Sequence, residues 1–103
     1  MSPPRVRWSL RAKDDLLEIA RFIGEDDPVA ARAWIEKLRE QARWVASTPR
    51  AGRRVPEAGR DDIREVLLRH YRIVYRVEPT GIVVLTVFEG HRLSPRDLPA
   101  EEE

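Results

Sequence analysis

The chain has 103 residues, 36% of them charged, no cysteine and a formal net charge of +1. One domain is expected at this length, burying roughly two thirds of its chain surface. Disulfides and thiolate metal sites are excluded, and the opening MSPPRVRWSL carries no apolar run of a signal peptide. No stretch approaches the roughly 20 apolar residues of a membrane span, so a cytoplasmic protein is expected.

Residues 5–9 alternate polar with apolar and predict a short strand. Ser9 is placed to cap the helix that follows. Over 11–24, Ala12, Leu16, Ile19, Ala20 and Ile23 share one helical face, and Gly24 marks a stop. Asp27 then Pro28 gives an N-cap with proline at the first helical position. The second helix is predicted to reach about Thr48, where Pro49 ends it. Its stripe is Ala31, Ile35, Leu38, Ala42 and Val45, with Trp34 beside it. The short connection makes the pair a helical hairpin.

Residues 49–60, PRAGRRVPEAGR, read as a loop of net charge +3. Strands are predicted at about 62–68, 71–77 and 82–88, with Pro79-Thr80-Gly81 supplying the second turn. The last strand is apolar on both faces and is expected inside the sheet. A two-residue turn at Arg69-His70 sets Glu65 opposite Val74, with Arg72 and Arg76 diagonal to it. Ile63 and Leu67 then share that face. The opposite face then carries Arg64, Val66, Leu68, Tyr71, Ile73 and Tyr75, and a three-residue turn would swap these assignments. A helical hairpin covers one face of a sheet. The other is expected to be covered by residues 89–100 or by another chain.

The modest net charge hides an asymmetry. Residues 94–103 carry −3, which leaves +4 on residues 1–93. Of 19 basic residues only Lys13 and Lys37 are lysines. Arginine makes bidentate contacts with carboxylate and phosphate and stacks on rings, which fits an anionic partner; GC-rich coding would give the same bias. For Arg64, Arg72 and Arg76 the alternative is pairing with Glu65, Glu78 or the Asp61-Asp62 pair. Trp44 lies off the stripe of its helix, either packed under the 49–60 loop or serving as a partner anchor. No metal-ligand pattern and no phosphate-cradling glycine loop is present.

The motifs resemble, in order and over residues 5–98, the RelE/ParE superfamily of type II toxin–antitoxin toxins, on the ParE side. They are Ala12 with Asp15-Leu16, Pro28 with Ala30-Ala31, Pro49 to Arg53, Ile63-Arg64-Glu65, Tyr71 to Val77, and Gly90-His91-Arg92. Residues 99–103 would be an acidic tail. The resemblance implies an α+β fold: a small, mostly antiparallel sheet with an N-terminal helical hairpin, in the order β-α-α-β-β-β. It also implies a ParD-like antitoxin with a ribbon-helix-helix DNA-binding domain and a flexible arm, so that DNA is met only through the antitoxin. No cofactor and no membrane are implied.

Members on the ParE side poison DNA gyrase by binding; those on the RelE side cut mRNA on the ribosome. RNA cleavage needs a base, an acid and charge stabilisation, and arginine is a poor base. Lys13 and Lys37 both lie on helices. The nuclease alternative would therefore rest on His91 with Arg72, Arg64 and Tyr71, and His70 and Tyr75 are further acid–base candidates. The favoured reading is a non-enzymatic, plasmid-stabilising toxin. Gly90, His91 and Arg92 would meet the target; Trp44, Arg50, Arg53, Arg54, Arg64, Arg72 and Tyr75 would meet the antitoxin. A degenerate toxin kept only for antitoxin binding is a third reading.

Overall fold

The computed structural model describes residues 3–90. Strand β1 (Arg5–Trp8) leads into helices α1 (Leu10–Gly24) and α2 (Pro28–Ser47). A 3-10 turn at Pro49–Ala51, a two-residue strand β2 (Arg53–Arg54) and a second 3-10 turn at Pro56–Ala58 follow. Strands β3 (Ile63–Leu68), β4 (Tyr71–Glu78) and β5 (Gly81–Glu89) complete the chain. The sheet order is β1-β5-β4-β3-β2. The α+β architecture and the expected element order hold, with β2 added.

The caps are those the sequence predicts. Ser9 Oγ accepts the Ala12 amide at 3.1 Å, and Asp27 Oδ1 accepts the Ala30 amide at 3.0 Å. The first helix does end at Gly24, but without a left-handed glycine: the capping residue is Glu25 in right-handed helical geometry. Arg69 closes the first hairpin at φ 58°, and Glu65 pairs with Val74 as the two-residue turn requires.

Two features depart from the plain meander. First, β1 runs parallel to β5. The helical pair separates these strands in sequence, so no tight hairpin forces them antiparallel. Second, the register between β4 and β5 slips. Tyr75 faces Val84 and Val74 faces Thr86, leaving Leu85 as a bulge.

The sheet faces divide as predicted. On the helical side Leu16, Leu38, Ala42 and Val45 meet Ile73, Tyr75, Ile82 and Val84. On the other side Val55, Ile63, Val74, Val83 and Leu85 form a second cluster. Each fully buried aliphatic side chain contributes about 1.5–3 kcal/mol. Val55 and Ala58, from the 49–60 segment, pack on that second face. The segment expected to be an open loop is therefore itself part of the cover. Of residues 89–100, which the sequence offers as a cover beside another chain, 91–100 lie outside the described residues.

The edge of β5 beyond Val84, where β1 stops, is closed by the start of α1. Ser9 donates through its amide to Val84 O at 3.0 Å and through Oγ to Leu85 O at 2.9 Å. Asp15 Oδ2 accepts from Thr86 Oγ1 at 2.6 Å and from the Val87 amide at 3.0 Å. The Asp15 of the A-x-x-D-L motif is thus a clamp between helix and bulge.

Candidate functional site

Five arginines gather round two carboxylates where β2, β3 and β4 run side by side. Register places Arg53 opposite Glu65 and Arg54 opposite Arg64. Glu65 is buried, and its Oε2 takes Arg53 Nε at 2.6 Å and Arg72 Nη2 at 2.9 Å. The Arg72 guanidinium also lies 5.9 Å from the Phe88 ring centroid. Asp61 is exposed and takes Arg50 at 2.5 Å, Arg64 at 3.0 Å and Arg54 at 3.5 Å. Arg64 additionally donates to the carbonyls of Arg50, Gly52 and Asp61, so it staples the 49–61 segment to the sheet.

The P-R-A-G-R motif acquires a physical reason here. Pro49 presents its carbonyl to the Tyr75 hydroxyl, which donates at 2.6 Å. Gly52 lies against that hydroxyl, and any Cβ there would collide with it. Arg53 then reaches Glu65. Tyr75 is fully buried. Burial pushes its phenol upward, opposed by a backbone hydrogen bond at Gly52 and by the Arg64 charge.

The structure unites Arg50, Arg53, Arg54, Arg64, Arg72 and Tyr75 in one region. It places Trp44 elsewhere, on the outer side of α2, 55% exposed rather than packed under the loop. Arg50, Arg53 and Arg54 do face solvent, yet none is without a carboxylate. Arg53 reaches the buried Glu65 because β2 is a strand in register with it, where the sequence predicts a loop. Arg76, the third strand arginine, pairs with Glu78, which also accepts from Arg7.

At the hairpin end, the rings of Trp34, His70 and Tyr71 meet at tilted angles, with centroids 4.6–6.2 Å apart. Burial, then the nearby Glu89 charge, raises the Tyr71 phenol. A hollow of about 140 Å³ beside them is lined by Leu67, Arg69, His70, Arg72 and Gly90. Gly90 donates to His70 O at 3.4 Å. His91 and Arg92 lie outside the described residues. Among the described residues no cluster of His, Cys, Asp and Glu could hold a metal ion. No described helix is long and apolar enough to cross a membrane.

Comparison with known proteins decides the family. Residues 6–93 match the model of the ParE toxin of the type II toxin–antitoxin system parDE. The chain belongs to the ParE toxin family. It is 36% identical over 101 residues to the candidate toxin Y4kP of Sinorhizobium fredii (strain NBRC 101917 / NGR234), covering 95% of this chain and 100% of that protein. A solved structure described as a chromosomal ParDE TA system from P. aeruginosa superposes with a TM-score of 0.69. It is 18% identical and covers 86% of this chain and 98% of its own, which shows the ParE fold.

What sequence reasoning missed was β2 and the Asp15 clamp. Both depend on partners distant in sequence: Glu65 lies 12 residues from Arg53, and Thr86 lies 71 from Asp15.

Proposed function

We propose that this ParE-family toxin acts by binding DNA gyrase, without catalysing a reaction, and is neutralised in the cytoplasm by a ParD-like antitoxin. One observation carries the reading. The arginines that a nuclease would use to stabilise charge are committed to structure: Arg72 to Glu65, Arg64 to Asp61 and three carbonyls. Tyr71 and Tyr75 are buried with raised phenols, unsuited to accepting a proton near neutral pH.

In this reading the antitoxin arm meets the arginine-rich face, with Arg50, Arg53 and Arg54 supplying exposed charge and Trp44 an aromatic anchor. The stretch Gly90-His91-Arg92 meets the target. The test runs purified protein in parallel through a gyrase supercoiling assay and a ribosomal mRNA-cleavage assay. Lost supercoiling beside intact mRNA is the expected result; cleaved mRNA with normal supercoiling would replace this reading with the nuclease one.

A further inference from the structure

Strand β1 is an edge of the sheet, and among the described residues no strand pairs with its outer side. Arg5 donates its amide to Thr80 O at 2.8 Å and Ser9 to Val84 O at 3.0 Å, both inward to the β5 side. A parallel ladder alternates, so the N–H and C=O groups of Val6 and Trp8 turn outward. Such groups form a template for one more strand. Pro4 precedes the strand and limits that template to its four residues.

A trough runs beside this edge. Two hollows, of about 290 and 250 Å³, share Trp8 and Arg39. Val6, Trp8 and Leu16 give the trough an apolar surface, while Lys13, Arg39 and Arg43 supply charge, and no described carboxylate lines either hollow. The arginines of the opposite sheet edge are held by Asp61 and Glu65. Here Arg39 pairs, among the described residues, with Glu36 alone, at 3.8 Å. Among the described residues, no ion pair is formed by Lys13 or Arg43.

From the open edge, the apolar trough and the unmatched cations we infer that β1 is a strand-addition site for an extended, acidic segment of a partner protein. The segment's backbone pairs with Val6 and Trp8. An apolar side chain lies over Trp8, and a carboxylate two residues along the same face meets Arg39 or Arg43. A nucleic acid would satisfy the cations and leave the backbone edge unused. The site rests on the antitoxin reading only for the partner's identity, since an antitoxin arm is the segment at hand.

The test uses the full-length, isotope-labelled chain and an acetylated eight-residue peptide of repeating Leu-Thr-Glu-Thr, which sets Leu and Glu on one face. Addition should shift the Val6 and Trp8 amide resonances and slow their hydrogen exchange. The Arg39→Glu/Arg43→Glu variant, checked for folding by circular dichroism, should bind about tenfold or more weakly, and so should the wild type at high salt. The same peptide with Lys for Glu, or N-methylated at alternate backbone positions, should not bind. The inference is overturned by unmoved Val6 and Trp8 amides at millimolar peptide, or by equal binding of the N-methylated peptide. It is equally overturned by an oligothymidylate that shifts Trp8 while the acidic peptide does not. Such failure would remove the edge site and leave the antitoxin reading, which is tested by co-expression rescue of growth.

Discussion

The Tyr75 hydroxyl occupies the space a side chain on Gly52 would need. Gly52→Ala must therefore displace either the hydroxyl from the Pro49 carbonyl or β2 from β3. A loss of roughly 2–4 kcal/mol is expected, combining overpacking with a broken buried hydrogen bond. Tyr75→Phe alone should cost about 1–2 kcal/mol. The double variant should be less unstable than the sum of the two, because Phe removes the atom in closest conflict. Urea denaturation of the four proteins measures this; strict additivity would refute the steric coupling.

Glu65 and Arg72 make a second, asymmetric prediction. Both are buried, and their bond is 2.9 Å. Glu65→Ala leaves a buried guanidinium without its carboxylate and should cost about 3–5 kcal/mol. Arg53 bonds the same carboxylate from a 66% exposed position, so Arg53→Ala should cost about 1 kcal/mol or less. Replacing the buried pair together, as Glu65→Leu/Arg72→Met, should be far milder than Glu65→Ala. Equal effects of Glu65→Ala and Arg53→Ala would show that burial does not set the energetics.

These relationships also show what the sequence could reveal. Asp27-Pro28, Pro49 and the period-2 runs of 63–88 are local signals, and they placed both helices and three strands to within a residue or two. The faces of β3 and β4 hang on the length of the turn at Arg69-His70, two residues in the structure, and the pairings of Arg64, Arg72 and Arg76 with nearby carboxylates are among the alternatives the sequence offers. Strand β2 was illegible: two arginines have no alternation, and only pairing with Glu65 and Arg64 makes them a strand. The parallel placement of β1 is likewise non-local. Arginines at the candidate site could be found by type, but their commitment to Asp61 and Glu65 depends on register.

The Asp15 clamp predicts a local effect. Asp15→Ala removes the acceptor for the Val87 amide and the Thr86 hydroxyl at the bulge. Stability should fall by about 1–3 kcal/mol. Hydrogen exchange at Val87 should accelerate more than at Ile73, its partner across the ladder. Uniform acceleration of both amides would mean that Asp15 supports only global stability.

Glu78 gives a pH prediction. Hydrogen bonds from Arg76, then Arg7, hold its carboxyl below the usual 4.5. A depressed carboxylate contributes stability that is complete above the unfolded value and is lost as pH falls through the folded one. The advantage of the wild type over Glu78→Gln should thus hold at about pH 6 and shrink below about pH 4.5. Urea midpoints across that range test it; a constant difference would mean the ion pairs contribute no pH dependence.

The end of β5 separates binding from catalysis. Gly90 closes onto His70 O, and His91 and Arg92 follow it in sequence. If the toxin works by contact, His91→Ala should have a modest effect on growth inhibition. Arg92→Ala should weaken it more, because a guanidinium's planar set of donors is not reproduced by a neighbour. Removing the chain after Gly90 should abolish toxicity while leaving the hairpin bond in place. If the toxin is a nuclease, His91→Ala should reduce activity by on the order of 100-fold or more through lost proton transfer, with target binding intact. Growth inhibition is measured for each variant beside its urea midpoint, so that unfolding is not mistaken for lost contact. An inactive His91→Ala beside a fully toxic Arg92→Ala would reverse the assignment.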